Sequence, residues 1–479
     1  MKKNLFFIIL VLMTFVLSSC DMEIIPSHQV DIIPGFDDNL NTQESFDRLF
    51  DDSTKKELVI NITQSEWNRL DQSMIDYAKT YQGDLRNDIY VKADLIYTDG
   101  HGVVKVDYVG LRTRGNLSRT RIQDNQGRLN MSHFKISFRE IFGTVIGEHE
   151  ALIKNRTVFE LEEIDLKYNR NQDTTYLNEK FSMDLFNQFD VFAQKTTLIN
   201  LYVNIDDQET FYGLYTAFEP IDKKFIEKRL DASQTHGDLY KVLWQQYGPA
   251  ALTNDYPSLA IGIRDIENNY RPSYDLKTNK KISDHSALKS LIVEINRLEG
   301  QAFVTFIESH FEIEMFLRLL AIGVLLGNPD DYRAMCNNYY LYHNPQTDKW
   351  MMIPYDYDHG LGQGWDGAPI FSNYSVGMDI YTWGNLNAHM LDIEDYPHPL
   401  VDKVLSVSQY RILYEGYLLF LTDEENQLFC FDAFETMYLQ QKTLYDDGLS
   451  EAMLNLRFDL RDIENYINDK RLDVIGQID

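Results

Sequence analysis

Three short runs between residues 327 and 360 hold the side chains best suited to chemistry. They are Gly327-Asn328-Pro329-Asp330-Asp331-Tyr332, Asn337-Asn338-Tyr339-Tyr340 and Ile353-Pro354-Tyr355-Asp356-Tyr357-Asp358-His359. Asp330 follows a long apolar stretch and Asp356 a short one, so each carboxylate is expected just past the end of a buried element. Asp, Asn and Asp offered from neighbouring element ends are hard oxygen ligands suited to Mg²⁺ or Mn²⁺. Phosphoryl transfer calls for this inventory: one carboxylate to orient the attacking hydroxyl, and an amide with a second carboxylate to hold metal on the phosphates. Each run taken alone reads as an ordinary acidic turn, since Asp and Asn are common turn formers. Two of them flanking one expected hairpin put the metal site on an equal footing with that reading.

A second group surrounds Leu111-Arg112-Thr113-Arg114-Gly115-Asn116-Leu117-Ser118-Arg119, where a strand runs into a Gly-Asn turn with three arginines close together. In an acidic chain this is a local basic patch that could hold phosphate through Arg114 and the amides of Gly115 and Asn116; the competing reading is a solvated hairpin turn. Lys135 lies on the next strand, as a phosphate-reaching lysine or as an outward-facing strand residue. Glu179 is the candidate carboxylate partner for it, on a helix expected from Tyr176 to Phe189, and Glu219 is the candidate for a hinge between lobes.

The elements that must position these groups are legible in outline. Leu58–Ile62, Asp88–Tyr97, Val103–Leu111, Phe134–Phe138, Thr197–Val203 and Phe211–Phe218 read as strands, and Ser65 to about Thr80 as a helix. Together they suggest an antiparallel sheet with one helix packed across it. The second half reads as more helical: Ala287–Leu298, one buried helix over Phe303–Gly327, a hairpin of Asn338–His343 with Trp350–Pro354, and helices from Pro399 onward. Arg318 and Asn328-Pro329 argue against a membrane span in the apolar stretch. The expectation is an α+β, two-lobed enzyme with a β-rich N-lobe over about 56–220 and a mainly helical C-lobe over about 221–479.

The N-terminus supplies an address. Lys2-Lys3, the apolar run Leu5–Leu17 and Leu17-Ser18-Ser19-Cys20 resemble a signal peptide ending in a lipobox, with Cys20 the lipidated residue. Residues 1–20 are then the signal, 21–55 a tether and 56–479 the domain. The 479 residues carry 45 Lys+Arg against 74 Asp+Glu, a net charge of −29. That balance argues against a nucleic-acid binder, which needs a basic face to release counterions. Cys336 and Cys430 are too few for a disulfide framework and are expected as buried thiols.

The ordered set of motifs resembles the CotH kinase family, the spore-coat-protein-H-like atypical kinases. The resemblance rests on Arg114-Gly115-Asn116, on Tyr212-Gly213-Leu214-Tyr215 through Glu219, and on the three runs between Gly327 and Asp358. It implies a compact protein-kinase-like fold that binds ATP and Mg²⁺ (or Mn²⁺) and phosphorylates Ser or Thr of protein partners. On that likeness Asp330 is the catalytic Asp, Asp356 the metal-binding Asp, Asn338 a second metal ligand and Asp358 a helper. The step from Asp330 to Asn338 is longer than is usual in kinases, which lets Asp331 share the catalytic role. The segment around Lys135 departs from the family, which often has its Lys where this chain reads Asn130-Met131-Ser132.

The leading expectation is therefore an exported atypical protein kinase, lipid-anchored in a bacterial cell envelope and acting on a protein acceptor. Two alternatives stand beside it: a non-catalytic surface-binding or adhesion module on the same fold, and a nucleotide-dependent transferase that moves a nucleotidyl or glutamyl group.

Overall fold

The computed structural model describes residues 42–143, 148–364, 375–382, 397–446 and 460–478. Cys20, the signal segment and most of the expected tether lie outside the described residues. The remainder of that tether, from residue 42, is docked on the body: Arg48 pairs with Asp99 at 2.8 Å, and Asp52 reaches Lys180 at 2.5 Å.

The first half runs α1 (Phe46–Leu49), β1 (Glu57–Ile62), α2 (Gln64–Thr80), β2 (Val91–Asp99), β3 (Gly102–Thr113), β4 (Phe134–Ser137), α3 (Glu148–Asn155), β5 (Glu163–Tyr168), α4 (Asn178–Gln188), β6 (Thr196–Ile205) and β7 (Gln208–Phe218). Thr63 starts α2 by accepting from the Glu66 amide at 3.2 Å, an N-cap that satisfies one orphan donor. The seven strands depart from the antiparallel sheet expected from the sequence. They close into a barrel in the order β1-β2-β3-β4-β5-β7-β6, sealed by a parallel β1–β6 pair. Closure removes the exposed edges that an open sheet would leave. Inward residues such as Leu58, Ile60, Val91, Leu111 and Ile164 fill the interior, joined by Trp67 and Leu70 of α2.

The second half contains α5 (Lys223–Glu227), β8 (Leu239–Val242), β9 (Ile261–Gly262), β10 (Tyr274–Leu276), α6 (Ser286–Arg297), α7 (Gly300–His310), α8 (Ile313–Leu326), α9 (Tyr332–Met335), β11 (Tyr339–Asn344) and β12 (Lys349–Pro354). It ends with α10 (Pro399–Ser406), α11 (Ser408–Thr422), α12 (Phe431–Tyr445) and α13 (Leu460–Ile478). The expected hairpin is present as β11–β12, and it belongs to a five-stranded sheet, β12-β11-β8-β10-β9, within the mainly helical lobe. One expectation is corrected here. The apolar stretch 303–327 is two helices, because the extended backbone of Phe311 stops α7 and α8 begins at Ile313. Among the described residues no helix is long and apolar enough to cross a membrane.

The larger core is built on α8, where Met315 to Leu326 is buried apart from Arg318. It also takes in Leu177, Phe181, Met183 and Phe186 at and within α4. This helix touches β6 on one side and α8 on the other. It therefore couples barrel to helical lobe, rather than lying across the barrel alone.

Candidate active site

Four elements converge between the barrel and the five-stranded sheet. On β5, Ile164 and Leu166 point into the barrel, so the two-residue period turns Glu163, Asp165 and Lys167 outward. The Lys167 ammonium lies 2.6 Å from Glu179 of α4, 2.5 Å from Asp356 and 3.2 Å from Asp358, both just beyond β12. Burial alone would push this lysine down; the three carboxylates outweigh it and hold the ammonium well above its usual range. Asp356 is held well below the usual carboxylate range, where Lys167 and Arg114 overcome the effect of burial. Glu179 moves the other way, to about 8, because burial and the neighbouring Asp358 and Asp356 exceed what Lys167 returns.

The backbone at this point is shaped for presentation. Gly327 ends α8 at φ +63°, and a Cβ there would run into the side-chain oxygens of Tyr466 and Ser375. The next residue, Asn328, accepts from the Asp330 amide at 3.1 Å and donates to the Asp356 carbonyl at 3.2 Å. One side chain thus ties the two acidic turns together. Asp356 itself sits at φ +63° and Asn338 at φ +50°, left-handed conformations that non-glycine residues seldom adopt.

Asp330 and Asp331 diverge. The Asp330 carboxylate accepts from Asn337 Nδ2 at 2.7 Å, while Asn338 Nδ2 donates to the Asp330 carbonyl at 2.9 Å. Burial pushes Asp330 up to about 7, against His359 and Asn337 and with help from Asp356 and Asp358. Asp331 is 2% exposed and caps α9 by accepting from Ala334 N at 2.9 Å, with Tyr357 Oη donating to it at 3.3 Å. Its geometry is that of an N-cap.

The basic patch separates into unlike parts. Arg112 and Arg119 both turn to Asp88, at 2.9 and 3.3 Å, and Arg264 completes that cluster at 2.6 Å. Arg114 alone faces the acidic turns: it donates to Tyr355 Oη at 2.7 Å and lies 3.5 Å from Asp165. Gly115, at φ +114°, has Ser118 Oγ where a Cβ would stand, and Asn116 Oδ1 accepts from Arg86 at 2.5 Å. Both are occupied in forming the turn.

Lys135 does not meet Glu179. It pairs with Glu163 at 2.5 Å and Asp165 at 3.2 Å on the adjacent strand. Glu219 is fully buried and held by Arg229 at 2.6 Å, with its second interaction coming from the Lys195 amide at 3.1 Å. Sequence reasoning passed over β5, and with it Lys167. The signal was present: Glu163-Ile164-Asp165-Leu166-Lys167-Tyr168 alternates polar and apolar over six residues. Cys336 and Cys430 are buried thiols, and Cys336 Sγ lies 3.7 Å from His398.

The carboxylate oxygens of Glu179, Asp356 and Asp358 lie within 4.8 Å of one another. Such a set of hard oxygen donors fits a divalent cation. The Oδ1 of Asn338 takes no hydrogen bond among the described residues, which leaves it available as a further ligand atom.

Comparison with known proteins gives this arrangement relatives. A family model described as CotH kinase protein matches residues 111–417. The inner spore coat protein H of Bacillus subtilis is 24% identical over 228 residues, covering 47% of this chain and 56% of that protein. Invasin CotH2 of Rhizopus delemar is 25% identical over 215 residues, covering 44% of this chain and 33% of that protein. The chain thus spans about half the length of the first relative and a third of the second. A solved structure of the Helicobacter pylori proinflammatory kinase CtkA aligns with a TM-score of 0.25 and 14% identity, over 66% of this chain and 89% of that one.

Proposed function

The chain belongs to the CotH kinase protein family, and on that premise we propose that it is an atypical protein kinase transferring the γ-phosphoryl group of ATP to a Ser or Thr hydroxyl of a protein acceptor. The observation that carries the reading is the Lys167 cluster. A lysine from a barrel strand is fixed by a helix carboxylate, Glu179, beside two carboxylates that follow β12. Positioning and charge neutralisation are what phosphoryl transfer asks of a protein. In this reading Glu179 keeps Lys167 extended toward the phosphates, and Arg114 adds a second positive charge. Asp330 accepts the proton of the attacking hydroxyl at its carboxylate, oriented by Asn337 and held in place through Asn328 and Asn338. Asp356, Asp358 and Asn338 would hold Mg²⁺ or Mn²⁺, which when bound neutralises charge on the transferring group.

We also place the protein in a bacterial cell envelope, anchored through lipid on Cys20. The Leu17-Ser18-Ser19-Cys20 run supports this, and the names of the spore coat and invasin relatives agree with a surface setting. The acceptor is a protein and not a nucleic acid, in keeping with the net charge of −29.

The test is calorimetric titration with ATP in Mg²⁺ or Mn²⁺, for the wild type and Asp356→Ala, followed by mass analysis of acceptor products. Metal-dependent binding lost in the variant, with products heavier by one phosphoryl group, is expected. A nucleotidyl or glutamyl mass increment would reassign the transferred group. Absence of nucleotide binding by folded protein would sink the kinase reading in favour of a surface-binding module.

A further inference from the structure

Lys241 of β8 is a basic side chain near this site that has no carboxylate partner among the described residues. Its side chain is half-buried, with Nζ 4.0 Å from the ring centroid of Tyr355 and 5.7 Å from that of Tyr340. Among the described residues no carboxylate lies within 4 Å of it and nothing accepts a hydrogen bond from it. The carboxylates nearby are committed elsewhere. Asp275, its cross-strand neighbour on β10, pairs with Lys277. Asp165 is shared by Lys135 and Arg114, and Asp356 is taken by Lys167.

An ammonium withdrawn from water without a counter-ion is unfavourable, and an aromatic face compensates it only in part. Burial, reinforced by the charges of Arg114 and Lys277, pushes this amine well below the usual lysine range despite Asp165 and Asp356. A fold that keeps a lysine there leaves room for an anion from outside. The location says which kind. Tyr355 directly precedes Asp356, its hydroxyl is held by Arg114, and its ring lies against Lys241. Arg114 from the barrel and Lys241 from the five-stranded sheet therefore flank one tyrosine at the threshold of the acidic turn.

We propose that Lys241 and Arg114 form a two-sided grip for the phosphate chain of the nucleotide, with Lys241 supplying the contact from the five-stranded sheet. The inference rests on the nucleotide-binding reading above and adds to it a residue from the second lobe. An ammonium point charge and a guanidinium fork on opposite layers suit a polyphosphate, which presents several anionic oxygens at once. Binding would then draw the two layers together through the ligand.

The experiment uses the full-length chain in detergent, titrated with ATP plus Mg²⁺, with adenosine, and with inorganic tripolyphosphate. Lys241→Met is expected to weaken ATP and tripolyphosphate binding at least tenfold and to leave adenosine affinity unchanged. Lys241→Arg should stay within about threefold of the wild type. Melting temperature separates this from a packing role: removing an unpaired cation leaves it unchanged or higher, whereas loss of a structural contact lowers it. If Lys241→Met binds ATP and tripolyphosphate as the wild type does while Lys167→Met loses ATP, the grip is overturned and the kinase reading stands. Tripolyphosphate binding that depends on Lys241, in a chain that binds no ATP, would overturn both the kinase reading and the assignment of the grip to a nucleotide, leaving a site for polyphosphate alone. Binding of neither probe would overturn both. Should Lys241→Met fail to fold, amine labelling of the wild type decides the matter: tripolyphosphate should protect Lys241, and unchanged labelling would overturn the proposal.

Discussion

Lys135 and Lys167 lie on neighbouring strands of one barrel, both turned outward and both paired with more than one carboxylate. Their partners differ in origin. Lys135 on β4 meets Glu163 and Asp165, on the strand next to it, so its ion pairs close within the barrel. Lys167 on β5 meets Glu179 from a helix shared by both lobes and Asp356 and Asp358 from just beyond β12 of the five-stranded sheet. The first arrangement holds a ladder together. The second joins parts that are distant in sequence, and it places a cation among carboxylates where a metal and phosphates would compete for each partner. What distinguishes the two lysines is where their partners come from.

The largest expected effect tests this contrast directly. Lys167→Met should lower ATP-dependent transfer by about 10²-fold or more, as loss of a preorganised charge at a reacting centre does. Lys135→Met should leave turnover per folded molecule within a small factor while costing about 1–3 kcal/mol of stability, less than a fully buried pair would. Activity assays paired with urea denaturation would show it, and equal activity losses in both variants would erase the distinction.

Asp330 and Asp331 offer the next sharpening. Asp330→Asn should cost about 10²-fold to 10⁴-fold in transfer, the range for a lost general base. Asp331→Ala should instead lose about 1 kcal/mol with its helix cap. The pH dependence carries a sign. The Asp330 pKa is raised from 3.8 to about 7 in the folded chain, so the folded state binds this proton more tightly than the unfolded state does. Its contribution to stability is full below about pH 4 and is lost as pH rises through about 7. Metal-free unfolding between pH 4 and 8 should show that decline in the wild type, flattened in Asp330→Asn.

A smaller effect concerns the divalent cation that the carboxylates around Lys167 would hold. With the Lys167 amine removed, Glu179, Asp356 and Asp358 face one another without a shared positive charge. Mg²⁺ should then raise the melting temperature of Lys167→Met more than that of the wild type. An equal response would argue against metal at these carboxylates. The smallest effect is expected at Glu219, whose carboxylate is locked to Arg229 outside the cluster. Glu219→Gln should cost stability and leave the KM for ATP unchanged; a raised KM would return Glu219 to the nucleotide site.

Much of the framework was legible from residue order. Of the barrel strands, β2, β3 and β4 follow from alternating β-rich runs and β1, β6 and β7 read as strands too, and Asp330 and Asp356 could be placed just beyond a buried helix and a buried strand. Barrel closure was not legible, because the seal is a parallel pairing of β1 with β6 across more than a hundred residues. The weak alternation of β5, six residues among turns, was overlooked, so Lys135 received the role that Lys167's position supports. The three arginines near Gly115 looked alike in sequence. They separated only when Asp88 collected Arg112 and Arg119 and left Arg114 to Tyr355.

The sequence by itself determined the local matters: which stretches form elements, where they stop, and which carboxylates stand at their ends. These depend on side-chain periodicity, capping and turn chemistry within a few residues. Tertiary structure alone decided which cation meets which carboxylate. An ion pair forms between groups that strand order and helix packing bring within about 4 Å, and no spacing along the chain encodes that Lys167, Glu179 and Asp356 will be such neighbours.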